Sequence, residues 1–225
     1  MEGLRGDMVV EAKRGKEALE WMLDALFPRF CVRCEREGAT LCSECDEAFL
    51  PTPSHETAPI ASLATLTTGG PYGDPTMRRL IGAWKYDGDA QAAAAIAKRV
   101  RRALYATAPH VVDAVTWVPL SAERFRAREF DQAEAIALAA GETLGVPCLP
   151  LLKRTLHTPP RSRVGRTDRR FGDLDGVFEV ADPRMLSRIL LCDDVFTSGA
   201  TMAAAARTLR DAGAKEIHGF AVAKG

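Results

Sequence analysis

The sequence predicts an α/β fold, a doubly wound parallel sheet preceded by a small cysteine-rich unit. Three observations carry this reading. From residue 60 onward, short apolar runs alternate with stretches of helical periodicity. Four cysteines stand in two close pairs between residues 31 and 45. Finally, the apolar run Ile189–Cys192 ends in Asp193 and Asp194 and then in a loop of small hydroxyl residues around one glycine. Neither a plain core strand nor a plain loop needs that last arrangement.

The chain of 225 residues is 47% hydrophobic and 27% charged, enough for a buried core in one domain with a smaller appendage. Its formal net charge is zero, so no global field points to nucleic acid or to a membrane surface. The basic residues are mostly arginine and cluster at Lys98–Arg102, Arg124–Arg128 and Lys153–Arg170. Arginine grips phosphate and carboxylate with two hydrogen bonds at once, which makes these clusters candidates for anion contacts. The opening MEGLRGDMVVEAKRGK lacks the apolar segment of a secretory leader, and no run approaches the length of a membrane span. A cytoplasmic protein with no membrane insertion is therefore expected.

Taken in order, residues 8–27 place Leu19, Met22, Leu23, Leu26 and Phe27 on one face of an amphipathic helix that Pro28 ends. PTPSHETAP (51–59) reads as a linker and IASLATLTT (60–68) as a strand running into glycine-rich turns. Helices are predicted over 77–86, with Met77, Leu80, Ile81 and Trp84 on one face, and over 89–106. VVDAVTWV (111–118) is a strand, and residues 130–145 are a helix closed by Gly145. VPCLPLL (146–152) and VFEV (177–180) are predicted strands on either side of a long polar segment. RILLCDDV is a buried strand, GATMAAAARTLRDAG a helix, and EIHGFAVA the last strand.

Cys31, Cys34, Cys42 and Cys45 form CxxC-x7-CxxC, the ligand set of a closed, tetrahedral structural zinc site. An iron–sulfur centre on the same thiolates is the alternative. Cys148 and Cys192 lie inside apolar strands and read as buried, inert thiols. The four histidines, at 55, 110, 157 and 218, show no ligand or nucleophile spacing.

In an open parallel sheet, ligands bind beyond the carboxyl ends of the strands. Asp193 and Asp194 fall at such an end, and Val195, Thr197, Ser198, Gly199, Ala200 and Thr201 form the turn into the next helix. The unpaired N–H groups of a helix start, with three hydroxyls, suit a phosphate. No lysine follows the glycine, so this is not a Walker loop. Two acids facing the phosphate would repel it, but one sugar-length away they can accept hydrogen bonds from ribose hydroxyls. The pattern is that of a ribose 5-phosphate site.

ILLCDDVFTSGAT (189–201) resembles the phosphoribosyl diphosphate (PRPP) motif of type I phosphoribosyltransferases. The four-cysteine unit, LIGAWKYDGD (80–89), WVPLSAERFRAREFDQAE (117–134) and KRTLHTPPRSRVGRTDRRF (153–171) extend the resemblance to the ComF family, phosphoribosyltransferase-like proteins linked to DNA uptake. The resemblance implies a type I phosphoribosyltransferase-like sheet, with segments 1–28 (helix), 29–50 (zinc-binding unit), 51–75 (linker and first strand) and 76–225 (phosphoribosyltransferase-like domain). It also implies PRPP with Mg²⁺ as ligand and Pro119, Leu120 and Ser121 as the loop that meets pyrophosphate. Arg124, Arg128, Arg154, Arg161 and Arg170 are candidates for pyrophosphate or for a basic lid over 153–176, whose His157 could also meet phosphate. The chain departs from the family pattern at Glu129 and Asp131, where glycine and asparagine are usual, and at Arg161, where glutamine is usual.

Three functional readings follow from the motifs and the resemblance. The first is a phosphoribosyltransferase acting on an amine or a nucleobase. The second is a non-catalytic accessory of DNA uptake that binds single-stranded DNA beside a helicase-like protein. The third is a regulator that senses PRPP without turning it over.

Overall fold

The computed structural model describes residues 28–107, 111–128, 130–155, 174, 176–182 and 186–225. The predicted helix over 8–27 lies outside the described residues. The chain divides into two compact units, Met1–Phe49 and Leu50–Gly225. In the first, the one regular element is a short helix, α1 (Ser43–Ala48), among the described residues.

The second unit runs in the order β1 (Ser54–Thr57), β2 (Thr65–Thr68), α2 (Pro75–Asp87), α3 (Ala90–Thr107), β3 (Ala114–Trp117), α4 (Ala122–Arg128) and α5 (Gln132–Leu144). It continues with β4 (Leu152–Arg154), β5 (Phe178–Val180), β6 (Arg188–Phe196), α6 (Ala200–Asp211) and β7 (Glu216–Lys224). The main sheet has the order β1-β2-β7-β6-β3. Its last four strands are parallel, and β1 joins antiparallel at the edge. The expected α/β class and parallel sheet are therefore present.

β6 and β7 sit at the centre, and Ile189–Cys192 and Ile217–Ala223 are buried. A parallel strand covered on both faces reads as a continuous apolar run rather than an alternating one. Ile189 and Leu191 join the core with Met202, Ala205, Ala206 and Leu209 of α6. Leu190 and Cys192 point the opposite way by the two-residue period of a strand. α5 packs on β3 and β6, α3 on β2 and β7, and the two helices pack on each other.

Three segments depart from the sequence reading. Residues 54–57, expected in a linker, form the edge strand, held by side-chain hydrogen bonds Ser54–Thr68 (2.7 Å) and His55–Thr67 (2.9 Å) and by the Lys224–Glu56 pair (2.5 Å). The strand expected over 60–68 begins only at Thr65, because residues 58–64 close a turn in which Ala58 takes φ +47°. VPCLPLL forms a single bridge to the sheet, at Cys148 opposite Val115, and no strand beside β3. Pro147 and Pro150 lack the N–H groups a longer pairing would need, and the chain leaves to form β4. β4 pairs antiparallel with β5 in a separate two-stranded sheet. Beyond it, the Thr155 N–H meets Val177 O (2.9 Å) and its hydroxyl meets Gly176 O (2.8 Å).

Gly69 ends β2 against β7, and a Cβ there would lie 2.6 Å from the carbonyl oxygen of Val222. That atom belongs to a central strand and cannot yield. Gly69→Ala is expected to destabilise the fold by about 1–3 kcal/mol, read from the urea unfolding midpoint.

Candidate functional site

The site begins where β6 outruns its neighbour. β3 pairs with β6 as far as Trp117 opposite Cys192, and the Val118 N–H closes the ladder on Cys192 O at 2.9 Å. β7 continues beside β6 to Phe196. Asp193 and Asp194 therefore stand past the end of β3, at the carboxyl end of β6, the end at which open α/β sheets receive ligands. Asp193 Oδ1 accepts the Asp194 N–H at 2.8 Å. Asp194 Oδ2 accepts an ion pair from Lys85, whose side chain is 14% exposed against 19% for the aspartate. Each carboxylate thus has one oxygen engaged and one without a hydrogen-bond partner among the described residues. Burial, and then the neighbouring Asp194, push Asp193 up to about 8, against the Asp194 N–H and Lys85.

Lys85 comes from α2. Asp74 caps this helix by accepting the N–H groups of Thr76 (2.8 Å) and Met77 (3.0 Å), and Gly88 stops it at φ +64°. The buried stripe is Met77, Leu80, Ile81 and Trp84 as expected, and Lys85 stands one turn beyond Ile81. Within LIGAWKYDGD the sequence assigns Lys85 no role. The available signal was its i+4 spacing from a core isoleucine, which puts a cation at the margin of a buried face.

The opposite wall holds Pro119, Leu120 and Ser121 after β3. The Leu120 N–H donates to Asp131 Oδ2 (3.0 Å), while Asp131 Oδ1 caps α5 through Ala133 N–H (2.9 Å) and Glu134 N–H (3.4 Å). Burial raises the Asp131 carboxyl and Asp194 adds to that, against the three N–H groups. Asp131 therefore fixes both the loop and the helix. Arg128 donates to Gln132 Oε1 (3.0 Å) and lies 5.9 Å over the Tyr86 ring. Trp84 and Phe130 stack with centroids 6.1 Å apart. These contacts join the last turn of α2 to the α4–α5 junction.

On the far side, Val195 and Phe196 still belong to β6, and the turn proper starts at Thr197. Thr197 and Ser198 are exposed. Gly199 takes φ +75°, and a Cβ there would sit 2.6 Å from Phe196 Cζ, so both backbone and space demand glycine. No side chain caps α6 firmly; only a 3.4 Å contact from Ala200 N–H to Ser198 Oγ approaches that role. Thr201 lies in the first turn. The structure thus gathers Asp193, Asp194, Asp131, Lys85 and the loop Pro119–Ser121, linked by contacts and by charge, with Thr197–Thr201 following directly. Arg154 lies in β4 with its guanidinium 5.4 Å over Phe178. Arg161, Arg170, His157 and the Arg124 side chain lie outside the described residues.

In the first unit, the donor atoms of Cys31, Cys34, Cys42 and Cys45 all lie within 4.8 Å of one another. Two tight turns bring them there. Glu35 N–H returns to Cys31 O (2.8 Å) with Glu35 at φ +61°, and Asp46 N–H returns to Cys42 O (2.8 Å) as α1 begins. Burial opposes ionisation of Cys31, but the backbone N–H groups of Cys34, Cys42 and Arg33 outweigh it and the thiol falls to about 6. Burial and the other three sulfurs push Cys45 up to about 12. Four sulfurs this close cannot all ionise without a cation among them, and the set fits tetrahedral zinc.

No protein-family model matches the chain. The ComF resemblance is matched by a curated relative, the competence protein ComFC of Streptococcus pneumoniae (strain ATCC BAA-255 / R6). It is 32% identical over 107 residues, 48% of this chain and 46% of the relative. The chain's match thus spans about half the length of that relative. Among solved structures, the chain is similar to the glutamine PRPP amidotransferase from B. subtilis complexed with ADP and GMP. That likeness has a TM-score of 0.43 and 18% identity, over 63% of this chain and 30% of that one. Among the described residues, no helix is long and apolar enough to cross a membrane.

The raised Asp193 carboxyl has a consequence for stability. Its value is about 8 in the fold, against roughly 3.9 in an unfolded chain. The folded state therefore holds the extra proton between these values. Its stabilising contribution is complete below the lower value and is lost as pH rises through the upper one. Asp193→Asn is expected to gain on the wild type in urea midpoint as pH is raised from about 5 to about 8. Parallel midpoint curves would contradict the assignment.

Proposed function

We propose that the second unit binds a ribose 5-phosphate group, in the form of PRPP with Mg²⁺, at the carboxyl end of β6. The observation that carries this reading is the pair of spare oxygens on Asp193 and Asp194, followed within a few residues by a helix start without a firm cap. The spare oxygens hydrogen-bond the ribose hydroxyls, that of Asp194 as acceptor and that of Asp193 as donor while its carboxyl is protonated. The amides of Gly199–Thr201 and the hydroxyls of Thr197, Ser198 and Thr201 take the 5-phosphate. Pro119–Ser121 and Arg128 face the diphosphate. The oxygen-only donor set suits a hard cation, and Mg²⁺ would neutralise charge on the departing diphosphate. Transfer breaks the bond from the ribose anomeric carbon to the diphosphate oxygen. Pyrophosphate leaves with the electron pair, and an amine or nucleobase nitrogen takes its place through an oxocarbenium-like state. The biological setting is DNA uptake, a reading supported by the ComFC similarity.

One observation favours a second reading. Tyr86 (78% exposed) and Phe125 (49% exposed) stand among Arg126 and Arg128, the interleaving of aromatic and basic groups that single-stranded DNA binders use. In that reading the protein is an accessory to a helicase-like partner and does not catalyse transfer. A PRPP-sensing regulator would bind the same ligand without releasing pyrophosphate.

Calorimetric titration of PRPP with Mg²⁺ is expected to give binding by the wild type and none by the Asp193→Asn/Asp194→Asn double variant. No binding by a folded wild type would remove both PRPP readings and leave DNA, tested by fluorescence anisotropy of a labelled oligonucleotide across a salt series.

We also propose that the first unit holds one structural zinc ion on Cys31, Cys34, Cys42 and Cys45. Native mass spectrometry is expected to give one zinc per chain, lost in Cys34→Ser. An iron signal, or no metal, would refute it.

A further inference from the structure

The ammonium of Lys85 bears on what the acidic pair needs. Three carboxylates, Asp131, Asp193 and Asp194, influence one another electrostatically. Among the described residues, Lys85 is the one cation paired with either Asp193 or Asp194. Both members of the Lys85–Asp194 pair are largely buried, and separating them would leave a charge in a poorly solvated place. The lysine is not left to search for its partner. Gly88 ends its helix three residues later, the Trp84–Phe130 stack fixes the residue before it, and the Tyr86–Arg128 contact fixes the one after. A compact ammonium is thereby delivered to Oδ2 of Asp194, and the other oxygen has no hydrogen-bond partner among the described residues.

We propose that Lys85 is the resident cation of the acidic pair. It neutralises and orients Asp194 so that ribose hydroxyls are bound without a divalent metal, and metal is needed only by a ligand that brings a diphosphate. Lys85 is in this sense a positioning residue acting through Asp194. The inference rests on the ribose 5-phosphate reading above. It deepens that reading by making phosphate monoesters of ribose metal-independent ligands.

Ribose 5-phosphate is titrated calorimetrically into the full chain in EDTA and in Mg²⁺, with PRPP and Mg²⁺ as the parallel ligand and inorganic phosphate as the probe of the loop alone. The wild-type affinity for ribose 5-phosphate is expected to change by less than about threefold between EDTA and Mg²⁺. Lys85→Met is expected to lose about tenfold or more in EDTA and to recover part of it in Mg²⁺, while Lys85→Arg keeps most of the wild-type affinity. Inorganic phosphate is expected to bind all three alike. If the wild type binds PRPP with Mg²⁺ but needs Mg²⁺ for ribose 5-phosphate too, the resident-cation proposal is overturned and the site reading stands. Equal weakening of inorganic phosphate by Lys85→Met would make Lys85 a phosphate contact and overturn it as well. If the wild type binds neither sugar phosphate, the site reading falls and the proposal with it. The wild-type metal dependence decides the matter even if Lys85→Met does not fold.

Discussion

A strand covered on both faces can carry charge only where its cover ends, and β6 is built on that constraint. Its first half is buried from Ile189 to Cys192, with α6 on one face and the other turned away from it by the pleat. β3 stops at Trp117, and only past that point does β6 present two acids. That the acids stand clear of β3 follows from one strand being longer than its neighbour. Side chains set on so covered a strand inherit its rigidity, which suits the ribose 5-phosphate site proposed above.

Much of this was legible in the sequence because the signals were local. Asp193–Thr201 reads as strand, acids and turn within a few residues, and Gly145 stops α5 as expected. The cysteine spacing announced the thiolate cluster. What stayed hidden depends on distant partners. Nothing within SHET marks a strand, since β1 exists through its pairing with β2 and through Lys224. α4 carries arginines at 124, 126 and 128, and a two-residue spacing marks no single helical face. Lys85 acquires meaning only when α2 sets it against a residue more than a hundred positions later.

Asp131 shows how a departure from a family pattern can be read physically. A carboxylate has two equivalent acceptor oxygens, and here one caps α5 while the other holds the Leu120 amide. An asparagine side chain offers one acceptor oxygen and a donor in place of the second. The aspartate thus ties helix and loop together with a single side chain. The accompanying cost is a third negative charge near Asp194: burial first, and then Asp194, raise the Asp131 carboxyl, and Asp131 adds to the upward push on Asp193.

The small sheet of β4 and β5 has a separate consequence, for how the chain can vary. Its ladder and the two Thr155 hydrogen bonds join the chain on either side of residues 156–175. The entropy lost in closing a loop grows only with the logarithm of its length, about 0.6 kcal/mol for each doubling. The pairing of β4 with β5 thus brings Arg154 and Phe178, 24 positions apart in the chain, into register. A length change between two strands so tied costs little by this measure, whereas a change at the strand end that carries the acids moves the acids themselves.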